Sequence, residues 1–215
     1  MKYFPDHQAT FLLGGPAGML EVLAYNPSDH HQRDAVCLIC HPHPVHGGTM
    51  HNKVVYTIAS GLHELGVRTV RFNFRGVQKS QGVFAHAIGE LDDLLAVYAW
   101  VKRVLPHTEI WLAGFSFGSL VALKATARIP EVKQLITVAP PVGVSYFQDV
   151  PPVFCPWLLI QGEQDEIISS KTVFSWVETL EQKPVVINIA ETGHFFHRKL
   201  HLIKHALCDQ LTGRV

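Results

Sequence analysis

Hydrophobic and polar positions follow two rhythms along this chain. Short, nearly continuous apolar runs, as expected of strands covered on both faces, alternate with longer stretches whose apolar residues fall three and four apart, the spacing of an amphipathic helix. Two strand-like runs at 7–13 and 19–25 flank Gly14-Gly15-Pro16 and predict an antiparallel N-terminal hairpin. Further strands are predicted at 35–40, 67–74, 110–113, 134–138, 157–161 and 185–190. Helices are predicted at 53–65, 90–104, 117–129, 169–181 and 197–211. This alternation implies an α/β class protein, a mostly parallel eight-stranded sheet with helices on both faces. In such sheets ligands bind at the carboxyl ends of the strands, so the residues just after each strand are the informative ones.

Composition narrows the picture. No linker, repeat or low-complexity tract interrupts the pattern, so 1–215 reads as a single domain. Charges balance, 18 Lys and Arg against 18 Asp and Glu, with no like-charge run, so no face for nucleic acid or an anionic membrane is expected. The partner expected instead is a small molecule in a cleft. A polar opening, and a first apolar run broken by three glycines and a proline, predict neither a signal peptide nor a membrane span. Four cysteines are too sparse for a disulfide scaffold, and a cytoplasmic setting is expected.

The chemistry begins after the strand at 110–113, where Gly114-Phe115-Ser116-Phe117-Gly118 leads into a helix. This is G-x-S-x-G in its strand-turn-helix setting. A turn tight enough to lift the serine hydroxyl clear of the sheet crowds the residues two before and two after it, and glycine relieves that crowding. A serine hydroxyl is a weak nucleophile at neutral pH; it needs a base, and the base needs an acid to hold its tautomer. The strand at 157–161 runs into Gly162-Glu163-Gln164-Asp165-Glu166, and that at 185–190 into Glu191-Thr192-Gly193-His194. Ser116, Asp165 and His194 are therefore expected as nucleophile, acid and base, in the order this architecture uses. Glu163 and Glu166 compete as acids, while 139–145, after the sixth strand, holds none. His197 competes as base but is expected inside the closing helix.

These residues resemble those of the α/β-hydrolase superfamily, and within it the short, lidless bacterial serine hydrolases related to dienelactone hydrolase. The likeness includes Gly162 to Asp165 and the run His41-Pro42-His43-Pro44-Val45-His46-Gly47-Gly48-Thr49-Met50-His51-Asn52-Lys53. It also includes Arg71-Phe72-Asn73-Phe74-Arg75-Gly76-Val77. Gln78 stands where the common R-G-x-G pattern has a second glycine, and Asn73 where many members carry Asp. The resemblance implies the α/β-hydrolase fold and an acyl-enzyme mechanism. Phe117, next to the nucleophile at a helix start, offers one backbone N-H to an oxyanion hole. Pro42 and Pro44 have no N-H, which leaves His43 and Val45 as early donors in the loop after the third strand. The resemblance selects His43, acting through its backbone alone. Val45, Val142 and Phe195 are expected to wall the pocket.

Between Ser116 and Asp165 lie 165 − 116 = 49 positions, which the sixth and seventh strands and their connection largely use, leaving no room for a lid. Small or exposed acyl substrates, esters or thioesters, are expected. An acyltransferase or thioesterase would use the same triad, and a non-catalytic binding module could keep the fold. No cofactor is expected. His41, His43, His46 and His51 suggest a metal, but two prolines stiffen the run and it holds no carboxylate, so no metal is expected. Cys37-Leu38-Ile39-Cys40-His41 matches a haem-attachment pattern, which is expected to be coincidence in a buried strand of a chain with no predicted signal peptide, and strand alternation, which points the two thiols to opposite faces, argues against a redox pair. Glu90, Asp92 and Asp93 are expected to form a solvated face at a helix start.

Overall fold

The computed structural model describes residues 1–27 and 32–212. β1 (Gln8–Gly15) and β2 (Gly18–Tyr25) pair antiparallel, and β2 also runs antiparallel to β4 (Arg68–Phe72). From there every pairing is parallel, through β3 (Ala35–Cys40), β5 (Glu109–Phe115), β6 (Val132–Val138), β7 (Trp157–Gly162) and β8 (Val185–Ile189). The eight strands stand in the order β1-β2-β4-β3-β5-β6-β7-β8.

Two cores follow from the period of two along the strands. Val36, Leu38 and Cys40 of β3 pack in one cluster with residues of α2 (Gly89–Val104), α3 (Phe117–Thr126) and α4 (Ser170–Glu178). Cys37 and Ile39 pack in the other with α1 (Lys53–Glu64) and α5 (Leu200–Leu211). Every residue of β3 is therefore buried, and each fully buried aliphatic side chain contributes about 1.5–3 kcal/mol. The thiols of Cys37 and Cys40 are free, on opposite faces of the sheet, and burial pushes both well above the ordinary thiol range. No helix of the described residues is long and apolar enough to cross a membrane.

Helix ends depart from the periodicity for local reasons. α3 stops at Thr126, ahead of the expected 129, where Arg128 and Ile129 N-H both turn back to Ala125 O and Pro130 follows. α5 begins at Leu200, not at 197, because Phe196 and Arg198 adopt φ of 52° and 61°, which a right-handed helix does not accept. His197 thus lies outside the helix, in the turn before it.

The acidic cluster at the start of α2 corrects the expectation of a solvated face. Glu90 and Asp93 are wholly buried, and only Asp92 is exposed. Glu90 accepts the Ala85 and Ala87 N-H groups at 2.8 Å each, so its carboxylate ties the preceding turn to the start of α2. Asp93 takes the Arg75 guanidinium in a forked pair, the closest contact 2.8 Å, and the Arg75 N-H at 2.9 Å. Both departures from the family pattern after β4 also find a structural basis. Asn73, buried, donates to Glu21 Oε2 at 2.8 Å and Gln78 Oε1 at 3.1 Å, so Asp in its place would oppose one buried carboxylate with another. Gln78 adopts the left-handed φ of 48° that glycine would take freely.

His41, fully buried after β3, donates from Nδ1 to Pro42 O at 2.6 Å and accepts the Phe74 N-H on Nε2 at 3.0 Å. Both ring nitrogens of this neutral imidazole are therefore used. Burial holds His41 down to about 4, and burial with the nearby Arg71 charge does the same for His63. Because the folded values lie below the ordinary 6.5, the unfolded chain takes up protons first as pH falls, and stability present above that value is lost towards pH 4. Urea unfolding should accordingly show a lower midpoint at pH 5 than at pH 7, with His41 alone accounting for about 2 kcal/mol. An unchanged midpoint would contradict the buried neutral ring.

Candidate active site

The turn between β5 and α3 is shaped by two close approaches. A methyl on Gly114 would lie 2.2 Å from Gly118 O, and one on Gly118 would lie 2.3 Å from Cys40 O. Between them Ser116 is held at φ 53°, ψ −120°, a conformation that non-glycine residues rarely adopt. Ser119, which sequence reasoning passed over, braces the turn: its hydroxyl lies 2.7 Å from Gly114 O and 3.0 Å from Val138 O, and it accepts the Val138 N-H.

Three strand ends converge on the serine hydroxyl. Ser116 Oγ is 3.1 Å from His194 Nε2, and His194 Nδ1 is 2.8 Å from Asp165 Oδ2. With its Nδ1–H donating a hydrogen bond to the carboxylate, the neutral imidazole presents a lone pair at Nε2 to the serine. The Asp165 side chain is fully buried and the His194 side chain nearly so. Burial alone would raise the Asp165 carboxyl, but donors from His194, Ile168 and Ile167 outweigh it and hold the group below the ordinary aspartate value. Gln161, unremarked in the sequence, adds a fourth donor at 2.9 Å.

The rival acids serve the loop instead. Glu166 Oε2 accepts the His194 backbone N-H at 3.1 Å, and Glu163 Oε2 accepts the Glu191 N-H at 2.9 Å, so both carboxylates end on backbone. His197 is exposed, and its ring stacks no closer than 5.8 Å to Phe195. A Glu one or two residues from the acid, far in sequence from the loop that it holds, gives no sequence signal for this bracing.

The loop after β3 forms a short 3-10 turn, Pro44–His46, whose preceding residue is His43. His43 O accepts the His46 and Gly48 N-H groups, and His43 Nδ1 accepts the Val45 N-H at 3.3 Å. Of the two early donors open from the sequence, Val45 is thereby occupied. The His43 N-H and the Phe117 N-H, which opens α3, have no acceptor among the described residues. The histidines of the run diverge in role, and among the described residues no three metal-ligating side chains come together.

A cleft of about 300 Å³ opens over Ser116 and His194. Phe195 lines it; Val45 and Val142 do not, which corrects the expected walls. Val45 sits on the outer side of the 3-10 turn, 65% exposed, and Val142, after Pro140-Pro141, is buried in the core. The walls come instead from Pro42, His43, His46, Gly47, Gly48 and Asn52 on one side. Val144, Tyr146, Ile167 and Ile168 supply the rest. The connection 139–156 holds neither helix nor strand, so nothing in it covers the cleft as a lid domain would. A larger depression of about 400 Å³, lined in part by Ile129, Pro130, Phe154 and Cys155, lies at the opposite ends of the strands and contains no nucleophile with a base.

The fold has counterparts among known proteins. A family model described as the alpha/beta hydrolase fold matches residues 45–154. A protein of Rickettsia prowazekii, RP471, is 35% identical over 185 residues, 82% of this chain and 78% of that one. The crystal structure of XC6422 from Xanthomonas campestris, described as a serine hydrolase without a lid, is similar with a TM-score of 0.93 and 45% identity, covering 98% of this chain and 96% of that one. An alpha-beta serine hydrolase homologue from Coxiella burnetii gives 0.91 and 43%, covering 95% and 98%.

Gly118→Ala should lower stability by about 1–3 kcal/mol, because the methyl must displace the Cys40 carbonyl. A thermal melt indistinguishable from that of the parent protein would contradict the close approach.

Proposed function

The chain belongs to the α/β-hydrolase family, and from that premise we propose that it is a serine hydrolase cleaving small or exposed carboxylic esters or thioesters through an acyl-enzyme on Ser116. One observation carries the reading: the unbroken relay from Ser116 Oγ to His194 Nε2 at 3.1 Å and from His194 Nδ1 to Asp165 Oδ2 at 2.8 Å.

In this mechanism Ser116 Oγ attacks the acyl carbonyl while His194 Nε2 takes the hydroxyl proton. Asp165 remains ionised, stabilises the imidazolium and keeps the ring in register. Negative charge on the carbonyl oxygen is met by the N-H groups of Phe117 and His43, the first also at the positive end of α3. Collapse of the tetrahedral intermediate breaks the bond to the leaving alcohol or thiol, which receives the proton from His194. Water, deprotonated by His194, then attacks the acyl-enzyme, and the carboxylic acid leaves with Ser116 restored. The open cleft admits that water, which favours hydrolysis over transfer to another acceptor.

A binding module is less well supported. A protein that only binds has no use for a serine hydroxyl aligned with an imidazole that is itself held by a buried carboxylate.

A fluorophosphonate probe should label Ser116 in the native protein and leave Ser116→Ala unlabelled. On an ester that the native protein turns over, Ser116→Ala should lose ~10⁶ in kcat and Asp165→Asn ~10⁴. Retention of most activity by Ser116→Ala would reject the proposal.

A further inference from the structure

The material lining the cleft says more about the acyl group than the relay does. His43 and His46 stack with ring centroids 4.4 Å apart at 22°, and Tyr146 leans on His43 at 5.7 Å. Phe117 and Phe84 back the wall, 5.0 Å and 4.9 Å from His43, so its rings are wedged in place. Phe195 lines the same cleft beside the base, its ring perpendicular to that of His194 at 5.2 Å. The remaining side chains are mainly aliphatic, and no Asp, Glu, Lys or Arg is among the lining residues. Asn52 is partly committed, since its Oδ1 caps α1 at the Val54 N-H.

From this we infer that the cleft takes an uncharged acyl group bearing a flat ring, an arylacetyl or related aryl acyl, laid against the wall of His43, His46 and Tyr146. The inference rests on the hydrolase reading above and adds the substrate class. Aromatic rings gain from face and edge contacts with other rings beyond the area they bury, whereas a saturated ring of equal size gains only the area. A carboxylate on the acyl group would enter without a cationic partner, at a desolvation cost. Burial, with His46 and His86 beside it, lowers the tendency of His43 to take a proton and keeps that part of the wall neutral. At about 300 Å³ the cleft stands at the small end of ligand sites, room for a single ring and a short spacer.

The test compares ethyl phenylacetate with ethyl cyclohexylacetate by pH-stat, each rate normalised to its alkaline hydrolysis. The native protein should favour the phenyl ester roughly two- to tenfold in kcat/KM. Tyr146→Phe, which keeps the ring, should keep that ratio, and Tyr146→Leu and His46→Leu should bring it towards one. A 4-carboxyphenylacetate ester should be the poorest of the series. A ratio of one or below in the native protein, a ratio unchanged in both leucine variants, or preference for the carboxylated ester would each overturn the inference. Native protein that labels at Ser116 without ring preference removes this proposal alone. Protein that neither labels nor turns over any ester removes the hydrolase reading and this one with it.

Discussion

At Gly118 the backbone of α3 passes so near the end of β3 that a methyl would sit 2.3 Å from Cys40 O and 2.6 Å from His41 O. The arrangement of the site depends on that contact. It presses the first turn of α3 against the third strand, so the Phe117 N-H lies beside a loop whose His43 is only two residues beyond His41. In the proposed mechanism these two segments supply the oxyanion donors through their backbones, without any side chain having to reach. The same crowding at Gly114 forces Ser116 out of the ordinary backbone regions and lifts its hydroxyl to the edge of the sheet.

Around the relay, buried polar groups are held by several donors each. Asp165 accepts from His194, Gln161, Ile167 and Ile168, which keeps a fully buried carboxyl ionised and leaves it one orientation. That orientation selects the His194 tautomer, and Glu166 holds the peptide on which the ring is mounted. On the other side, His41 ties the loop after β3 to the turn after β4 through Pro42 O and the Phe74 N-H. The loop that carries His43 is therefore fixed from beneath by a neutral ring and from above by its own 3-10 turn.

β3 was readable because burial on both faces leaves no polar position, and it begins and ends where its apolar run does; β8, an edge strand with Asn188 exposed, differs by a single residue. The three relay residues stand one, three and five residues past the ends of β5, β7 and β8, which made their order along the chain informative. Helix ends were less readable. Nothing in the side chains of Phe196 or Arg198 announces a positive φ, yet it delays α5 to Leu200. The acids at 90–93 misled because a carboxylate that caps buried N-H groups has the same composition as one facing water. Val45 and Val142 misled because proximity in sequence to the site says nothing about which way a side chain turns after a proline. Gln161 and Glu166 act by hydrogen bonds across loops, and such partners leave no periodic trace.

Positive φ in non-glycine residues is concentrated at the carboxyl edge of the sheet. Ser116 and Ala139 directly follow β5 and β6, Glu191 stands two residues past β8, and Gln78 lies in the turn after β4. Each such residue costs about 1–3 kcal/mol. Their backbones are held by bonds to the strands: Ser116 N-H donates to Val138 O at 2.8 Å, and Ala139 N-H to Ile160 O at 2.9 Å. A parallel ladder continued one residue past the last regular position thus pins the strained turns to the most buried part of the molecule. The strain can persist because relaxing it would require β5, β6 and β7 to separate at their ends, which the two cores on either face oppose. The edge that carries the relay is in this sense an extension of the core.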